Sequence, residues 1–294
     1  MYKLDGLDLY NTYNIRAGHA PGSNIAIQNC FNMPERTGDC FHEWGDTDGI
    51  EPYTDSEDIM FNGRDIFFSG SIIGTNSVVN DNIKTFYKAI NAATGLSVFE
   101  TPYMSASGYV KSVIPEVLNG GAKIVMTFRE PVVTLTGILP ASGLSNCTID
   151  KIPFLSFGFY LSKAEALHDL PELKEQFFTK YGAESYQIVK RKNKTLDFNG
   201  FIMGTSLADF KTKISALYKL FSSSGTRNIK INDEINVDCF ATEGFKVSGI
   251  YLYNNLTIAN FMANLMAVNV NYINELANED GVLITNEDGV QILI

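Results

Sequence analysis

The densest run of residues able to do chemistry is Cys40-Phe41-His42-Glu43-Trp44-Gly45-Asp46-Thr47-Asp48-Gly49-Ile50-Glu51, continued by Asp55, Glu57 and Asp58. Cys30, Cys40 and His42 are the soft ligand types that zinc takes, and Asp46-x-Asp48-Gly49 is half of a calcium loop. The spacing fits neither a zinc knuckle nor an EF-hand, whose loop needs a longer ladder of ligands. A solvated acidic loop with Phe41 and Trp44 anchoring its base is the better reading, so no metal or other cofactor is expected. Elsewhere catalytic signatures are missing: there is no G-x-S-x-G elbow, P-loop, G-x-G-x-x-G or H-E-x-x-H. The three histidines, His19, His42 and His168, stand in no recognisable pairing, and histidine is the commonest general base near neutral pH. A hydrolase using paired carboxylates is the residual catalytic option. The expectation is that the chain is not an enzyme.

Charge placement says more than any motif. Glu43 to Asp58 holds seven carboxylates and no Lys or Arg, and Val247 to Ile294 holds five carboxylates and again no basic residue. The counterweight is one basic loop, Lys190-Arg191-Lys192-Asn193-Lys194. The formal net charge of −10 argues against a protein that grips nucleic acid through its phosphates. With 45% hydrophobic and 19% charged residues in 294, the chain is neither disordered nor of low complexity. It offers about two domains' worth of residues, at roughly 150 per domain. No apolar stretch approaches the roughly 20 residues of a membrane span, and the polar start Met1-Tyr2-Lys3-Leu4-Asp5 does not look like a secretory leader. Cys30, Cys40, Cys147 and Cys239 are far apart, which reads as reduced thiols.

The elements that would position these groups come as a repeat. Asp65-Ile-Phe-Phe-Ser-Gly-Ser-Ile-Ile-Gly-Thr75 lies over Thr195-Leu-Asp-Phe-Asn-Gly-Phe-Ile-Met-Gly-Thr205, matching Phe68, Gly70, Ile72, Gly74 and Thr75 to Phe198, Gly200, Ile202, Gly204 and Thr205. Both copies alternate with a period of two, as a strand with one buried face does. The period then changes: Val79, Ile83, Phe86, Tyr87 and Ile90 share their spacing with Phe210, Ile214, Leu217, Tyr218 and Phe221. That spacing predicts amphipathic helices at about 77–92 and 207–222, with Ile83, Phe86, Ile90, Ile214, Leu217 and Phe221 buried against a sheet. Short strands follow in both copies, Gly108–Val113 answering Gly244–Gly249.

The division read from this is a first domain over 1–135, a Pro-, Gly-, Ser- and Thr-rich linker over 136–152, a second domain over 153–275 and a C-terminal arm over 276–294. Lys123–Phe128 would close the first copy. The second copy is predicted to start with an extra helix over 169–181, with Asp169 as N-cap, Pro171 in the first turn and Glu172 at the capping-box position. Strands at 185–190 and 195–203 would form a hairpin around the basic loop; the apolar spacing of 258–270 fits a helix, but the repeat sets it against 123–128 and favours a strand. In the arm, Asn278-Glu-Asp-Gly-Val282 recurs as Asn286-Glu-Asp-Gly-Val290, a hairpin-turn signal.

The first half resembles a known family. Leu4-Asp5-Gly6-Leu7-Asp8 is followed by Arg36-Thr37-Gly38, the turn Trp44-Gly-Asp-Thr-Asp48-Gly49-Ile-Glu51, the strand Arg64–Ile73, a helix, and the closing strand Ile124–Phe128. This order resembles the N-terminal domain of the distal tail proteins of long-tailed bacteriophages. The resemblance implies an α+β, mainly β fold: two tandem tail-tube-like β-sandwich or barrel domains, each flanked by a helix. It implies a phage or prophage structural protein, made in the host cytoplasm and resident in the virion tail, that joins tail tube to baseplate as a trimeric or hexameric ring. Its partners would be itself and tail-tube, baseplate or tail-fibre proteins, with DNA only as passing cargo and no membrane insertion. Lys190, Arg191 and Lys192 of one subunit would then face Asp46, Asp48 and Glu51 of the next. The alternative of another class is a carbohydrate- or peptide-binding β module of a cell-surface apparatus, supported by an aromatic content of 12%.

Overall fold

The structure is a computed structural model that describes residues 1–44, 49–165, 171–174, 177–180, 183–186, 190–232 and 235–268. In chain order it begins with β1 (Lys3–Leu4), β2 (Leu7–Asp8), α1 (Leu9–Tyr13), β3 (Arg16–Ala17), β4 (Ile27–Gln28), β5 (Phe41–His42) and β6 (Glu51–Pro52). The long elements β7 (Arg64–Ile73), α2 (Asn76–Ala92), β8 (Ser97–Glu100), β9 (Ser105–Leu118) and β10 (Gly121–Glu130) follow. After residues 131–146 come β11 (Cys147–Ile149), β12 (Ile152–Pro153), a 3-10 turn (Phe154–Phe157) and β13 (Phe159–Glu165). Four short strands are next: β14 (Leu173–Lys174), β15 (Phe177–Lys180), β16 (Ala183–Tyr186) and β17 (Lys190–Arg191). The last elements are β18 (Thr195–Gly204), α3 (Leu207–Ser222), β19 (Arg227–Ile231), β20 (Ile235–Ala241), β21 (Lys246–Tyr253) and β22 (Leu256–Ala267). The chain is thus mainly β with few helices, and no helix among the described residues is long and apolar enough to cross a membrane.

Two sheets carry one strand order. The first runs β2-β1-β8-β9-β10-β7-β3 and the second β12-β11-β19-β20-β22-β18-β13. The register agrees as well: Phe68, Gly70 and Ile72 stand opposite Met126, Ile124 and Ala122, while Phe198, Gly200 and Ile202 stand opposite Ala263, Phe261 and Ala259. A one-residue slip would turn every side chain to the other face, so equal register means equal core faces.

The likeness extends to a turn that sequence reading assigned to the linker. Asp5 and Gly6 take positive φ between β1 and β2, as Asp150 and Lys151 do between β11 and β12. The Asp5 carboxylate accepts from the Val98 N–H at 2.8 Å, and the Asp150 carboxylate accepts from the Asn228 N–H at 2.8 Å. The stretch from Cys147 to Pro153 is therefore the first hairpin of the second sheet and not part of a linker.

The helices fall where the periodicity placed them. Ile83, Phe86, Ile214 and Leu217 are buried, while Ile90 and Phe221 are half-buried against the same core. Their N-termini differ. Ser206 Oγ accepts from the Asp209 N–H at 3.0 Å, and Asp209 Oδ2 accepts from the Thr205 N–H at 2.8 Å. Thr75, the N-cap of α2, makes no side-chain capping bond. Ser206→Ala is therefore expected to cost about 1 kcal/mol, as lost caps do, whereas Thr75→Ala should change the urea midpoint little. Denaturation of the two variants side by side checks this.

Two expectations for the second half are overturned. Within the expected helix over 169–181, the described backbone is extended, with β14 paired to β17 and β15 paired to β16. The capping grammar of Pro171 and Glu172 loses to the aromatic and β-branched run Phe177-Phe178-Thr179, which fits a strand better. The expected 185–190/195–203 hairpin is also absent. β18 is flanked by β13 and β22, and Lys190–Arg191 pairs instead with Leu173–Lys174. The strand expected at 258–270 corresponds to β22, Leu256–Ala267, with 269 and 270 outside the described residues. The arm at 276–294 lies outside the described residues.

Candidate inter-subunit surfaces

Of the six residues singled out for contacts between subunits, Asp46 and Asp48 lie outside the described residues. Glu51 sits on β6 and accepts from Trp44 Nε1 at 3.1 Å. Arg191 donates to the Pro171 carbonyl at 2.7 Å, and Lys192 Nζ meets Glu172 Oε2 at 2.7 Å. The bond from Lys192 holds the Glu172 carboxyl below the usual carboxylate range. Lys174, on the strand beside Lys190, donates to the Trp44 carbonyl at 2.7 Å and reaches Glu43 at 3.1 Å. The Lys174 side chain is only 10% exposed, so this contact is tucked in rather than presented to a neighbour.

Among the described residues no three His, Cys, Asp or Glu side chains come together to hold a metal ion. Cys30 and Cys239 are buried, and burial pushes the Cys30 thiol up to about 12. Both are core groups rather than nucleophiles.

Sequence reasoning missed how the two sheets are joined. Arg64, at the start of β7, stands opposite Glu130 at the end of β10. Its Nε meets Glu130 Oε2 at 2.7 Å, and each side chain is 10% exposed. Arg64 Nη1 also donates to the Asn32 carbonyl at 3.0 Å and to Tyr218 Oη at 2.8 Å. Tyr218 belongs to α3, beneath the second sheet, and its own hydroxyl donates to the Asn32 carbonyl at 3.3 Å. Burial pushes the Tyr218 phenol up to about 12, so it remains a neutral partner. Every hydrogen bond in this knot ties the first half to the second or braces a group that does.

Around it, residues 22–33 cover the outer edge of β21. The Asn24 carboxamide pairs with the Leu252 peptide, donating to its carbonyl at 2.7 Å and accepting from its N–H at 2.8 Å. Ser23 Oγ donates to the Ile250 carbonyl at 2.6 Å, Asn32 Oδ1 accepts from the Val247 N–H at 2.7 Å, and the Met33 N–H donates to the Phe245 carbonyl at 3.0 Å. Asparagine side chains here take the place of a neighbouring strand, closing an edge that would otherwise invite unwanted pairing. The chain passes so close at Gly244 that a Cβ there would run into the Met33 carbonyl. Only the final arrangement of β21 reveals this use of Asn24 and Asn32; a bare asparagine in a polar stretch carries no such signal.

On the first sheet, Asp65 lies between Lys111 at 2.7 Å and Arg129 at 3.0 Å. Partial burial works to raise its pKa, but hydrogen bonds from the two cations prevail and hold it below the usual range. A depressed folded pKa means the contribution is complete above the unfolded value, about 3.9, and is lost as pH falls through the folded one. Asp65→Asn is expected to flatten the acid limb of stability below about pH 4, read from urea midpoints over a pH series.

No protein family matches the chain by sequence, and no curated protein matches it. Among solved structures the chain is similar to the SPP1 Dit protein, whose structure is presented as a paradigm of the hub adsorption apparatus in phages infecting Gram-positive bacteria. The identity is 13%, 90% of this chain and 99% of that chain are covered, and the TM-score is 0.35.

Proposed function

We propose that this chain is a structural protein of a phage or prophage tail, in which several copies form a ring joining the tail tube to the host-facing baseplate. The observation that carries the reading is the pair of sheets with one strand order and one register, joined through unlike surfaces. The first half offers a loop and the second half offers a sheet edge. A contact between unlike surfaces can repeat from subunit to subunit, and it closes into a ring when the rotation allows. Two modules per chain let a trimer present six near-equivalent positions, and a hexamer twelve. In this reading the first module spans 1–135 and the second begins at Cys147.

The work of such a ring is mechanical. It stacks on neighbouring tail components and leaves a passage for DNA. A net charge of −10 suits that task, because a negative wall repels phosphates and keeps the genome from adhering. The chemistry on view fits a scaffold: polar side chains are spent on closing edges and joining halves. The Lys174–Glu43 ion pair lies within one chain, and in this reading Lys190, Arg191 and Lys192 of one subunit face Asp46, Asp48 and Glu51 of the next.

Light scattering coupled to size-exclusion chromatography tests the reading. The expected mass is a closed multiple of 32.5 kDa, a trimer or a hexamer. A monomer at all concentrations would favour the carbohydrate- or peptide-binding module instead.

A further inference from the structure

An asparagine followed by glycine can lose its side-chain amide without an enzyme, because glycine leaves its own peptide nitrogen uncrowded for attack on the asparagine side chain. The chain has three such pairs, Asn62-Gly63, Asn119-Gly120 and Asn199-Gly200, and the structure holds them differently. Asn199 and Gly200 lie inside β18, paired with β13 on one side and β22 on the other. The backbone has no slack there, since a Cβ at Gly200 would run into the Tyr160 carbonyl. Asn62 is exposed, but its N–H donates to the Glu35 carbonyl at 2.9 Å. Gly63 after it is pressed against Glu130, whose carbonyl a Cβ would strike. In both pairs the peptide cannot turn toward the side chain unless its surroundings open first.

Asn119 and Gly120 are instead the two residues of the turn between β9 and β10, with Leu118 paired to Gly121 behind them. Both are exposed. Gly120 takes a φ of 84°, a conformation that suits glycine, and a Cβ there would meet nothing within 4 Å. Among the described residues the Asn119 carboxamide makes no hydrogen bond and the Gly120 N–H donates to no carbonyl. The Gly120 carbonyl is tied, accepting from the Gly74 N–H at 3.1 Å, but that bond leaves the attacking nitrogen free.

We propose that Asn119 is the chain's site of spontaneous deamidation, with water as the one co-reactant. The Gly120 nitrogen gives its proton to hydroxide and attacks Asn119 Cγ. The new N–C bond closes a five-membered imide as the Cγ–Nδ2 bond breaks and the amide leaves as ammonia. Water then opens the imide at either carbonyl, giving aspartate or isoaspartate. Each product adds a carboxylate beside Ile73 and Leu118, the two residues that flank Gly121 across the sheet and are 57% and 54% exposed. Isoaspartate also lengthens the main chain by one methylene inside a two-residue turn, where register depends on loop length.

Peptide mapping of the folded, unmodified chain tests this, because trypsin leaves the three pairs on separate peptides, Thr37–Arg64, Ser112–Lys123 and Thr195–Lys211. In mildly alkaline buffer Ser112–Lys123 is expected to gain the mass of an amide-to-acid exchange, as aspartate and isoaspartate forms that separate on chromatography. The other two peptides are expected to react about tenfold or more slowly, since each must open locally first and tenfold needs only about 1.4 kcal/mol. In guanidinium chloride the three rates should converge. Asn119→Gln is expected to hold Ser112–Lys123 at its starting mass, because the larger ring closes far more slowly. Equal rates in the folded chain, or a faster reaction at Asn62 or Asn199, would overturn the proposal. A preference for Asn119 that survives unfolding would overturn it too, since neighbouring sequence and not the turn would then select the site.

Discussion

Arg64→Ala is expected to lower the unfolding free energy by about 3–5 kcal/mol, the usual cost of stripping one partner from a buried ion pair. The substitution leaves Glu130 charged and 10% exposed with its guanidinium partner gone. It also takes donors from the Asn32 carbonyl and the Tyr218 hydroxyl, 3.0 and 2.8 Å away. Much of the loss comes from the stranded carboxylate rather than from the attraction itself. Arg64→Met combined with Glu130→Met should therefore recover most of it, since apolar replacements for buried pairs are often neutral or better. Urea unfolding of the single and double variants measures both. A single variant that loses less than about 1 kcal/mol would place Glu130 in contact with water.

Phe245→Ala is the second large effect, about 3–5 kcal/mol, as for other buried phenylalanines. Phe245 is 2% exposed, with ring centroids 5.3 Å from Tyr218, 6.0 Å from Phe221 and 5.1 Å from Phe261. Its carbonyl also accepts from the Met33 N–H at 3.0 Å, so its backbone holds the covering loop while its ring fills the core beneath. Truncation should accordingly speed hydrogen exchange at Val247 and Leu252, whose N–H groups are held by Asn32 and Asn24. Amides of β1 and β8, in the other sheet, should exchange at their former rates. Uniform acceleration across both sheets would show that the halves unfold as one unit and that the loop has no local role.

The parts of this fold legible in sequence were those governed by local periodicity. β7 and β18 alternate, α2 and α3 follow with one apolar stripe each, and the glycines at Gly70 and Gly200 mark the same register. The strand over 258–270 was recovered only because the repeat outweighed its helical spacing. Where local signals competed with pairing partners far along the chain, they failed. Thr195–Gly204 does not pair with the residues before it but with Phe159–Glu165 and Leu256–Ala267. Pro171 and Glu172 carry helix-start chemistry in a segment whose described residues are extended. Ile149-Asp150-Lys151-Ile152 matches Leu4-Asp5-Gly6-Leu7 in form, yet its polar surroundings made it look like linker. The site was less legible still. Charge runs pointed to the loop at 43–58 and to Lys190–Lys192, and the structure spends part of that chemistry inside one chain. The groups that join the halves, Arg64, Asn24 and Asn32, are single polar residues whose meaning depends on what lies opposite.

A negative-stain image of the purified, unmodified chain tests the central claim most directly. The account predicts closed rings of uniform diameter with an open centre and three- or six-fold symmetry. A field of solid, asymmetric particles of single-chain size would contradict it.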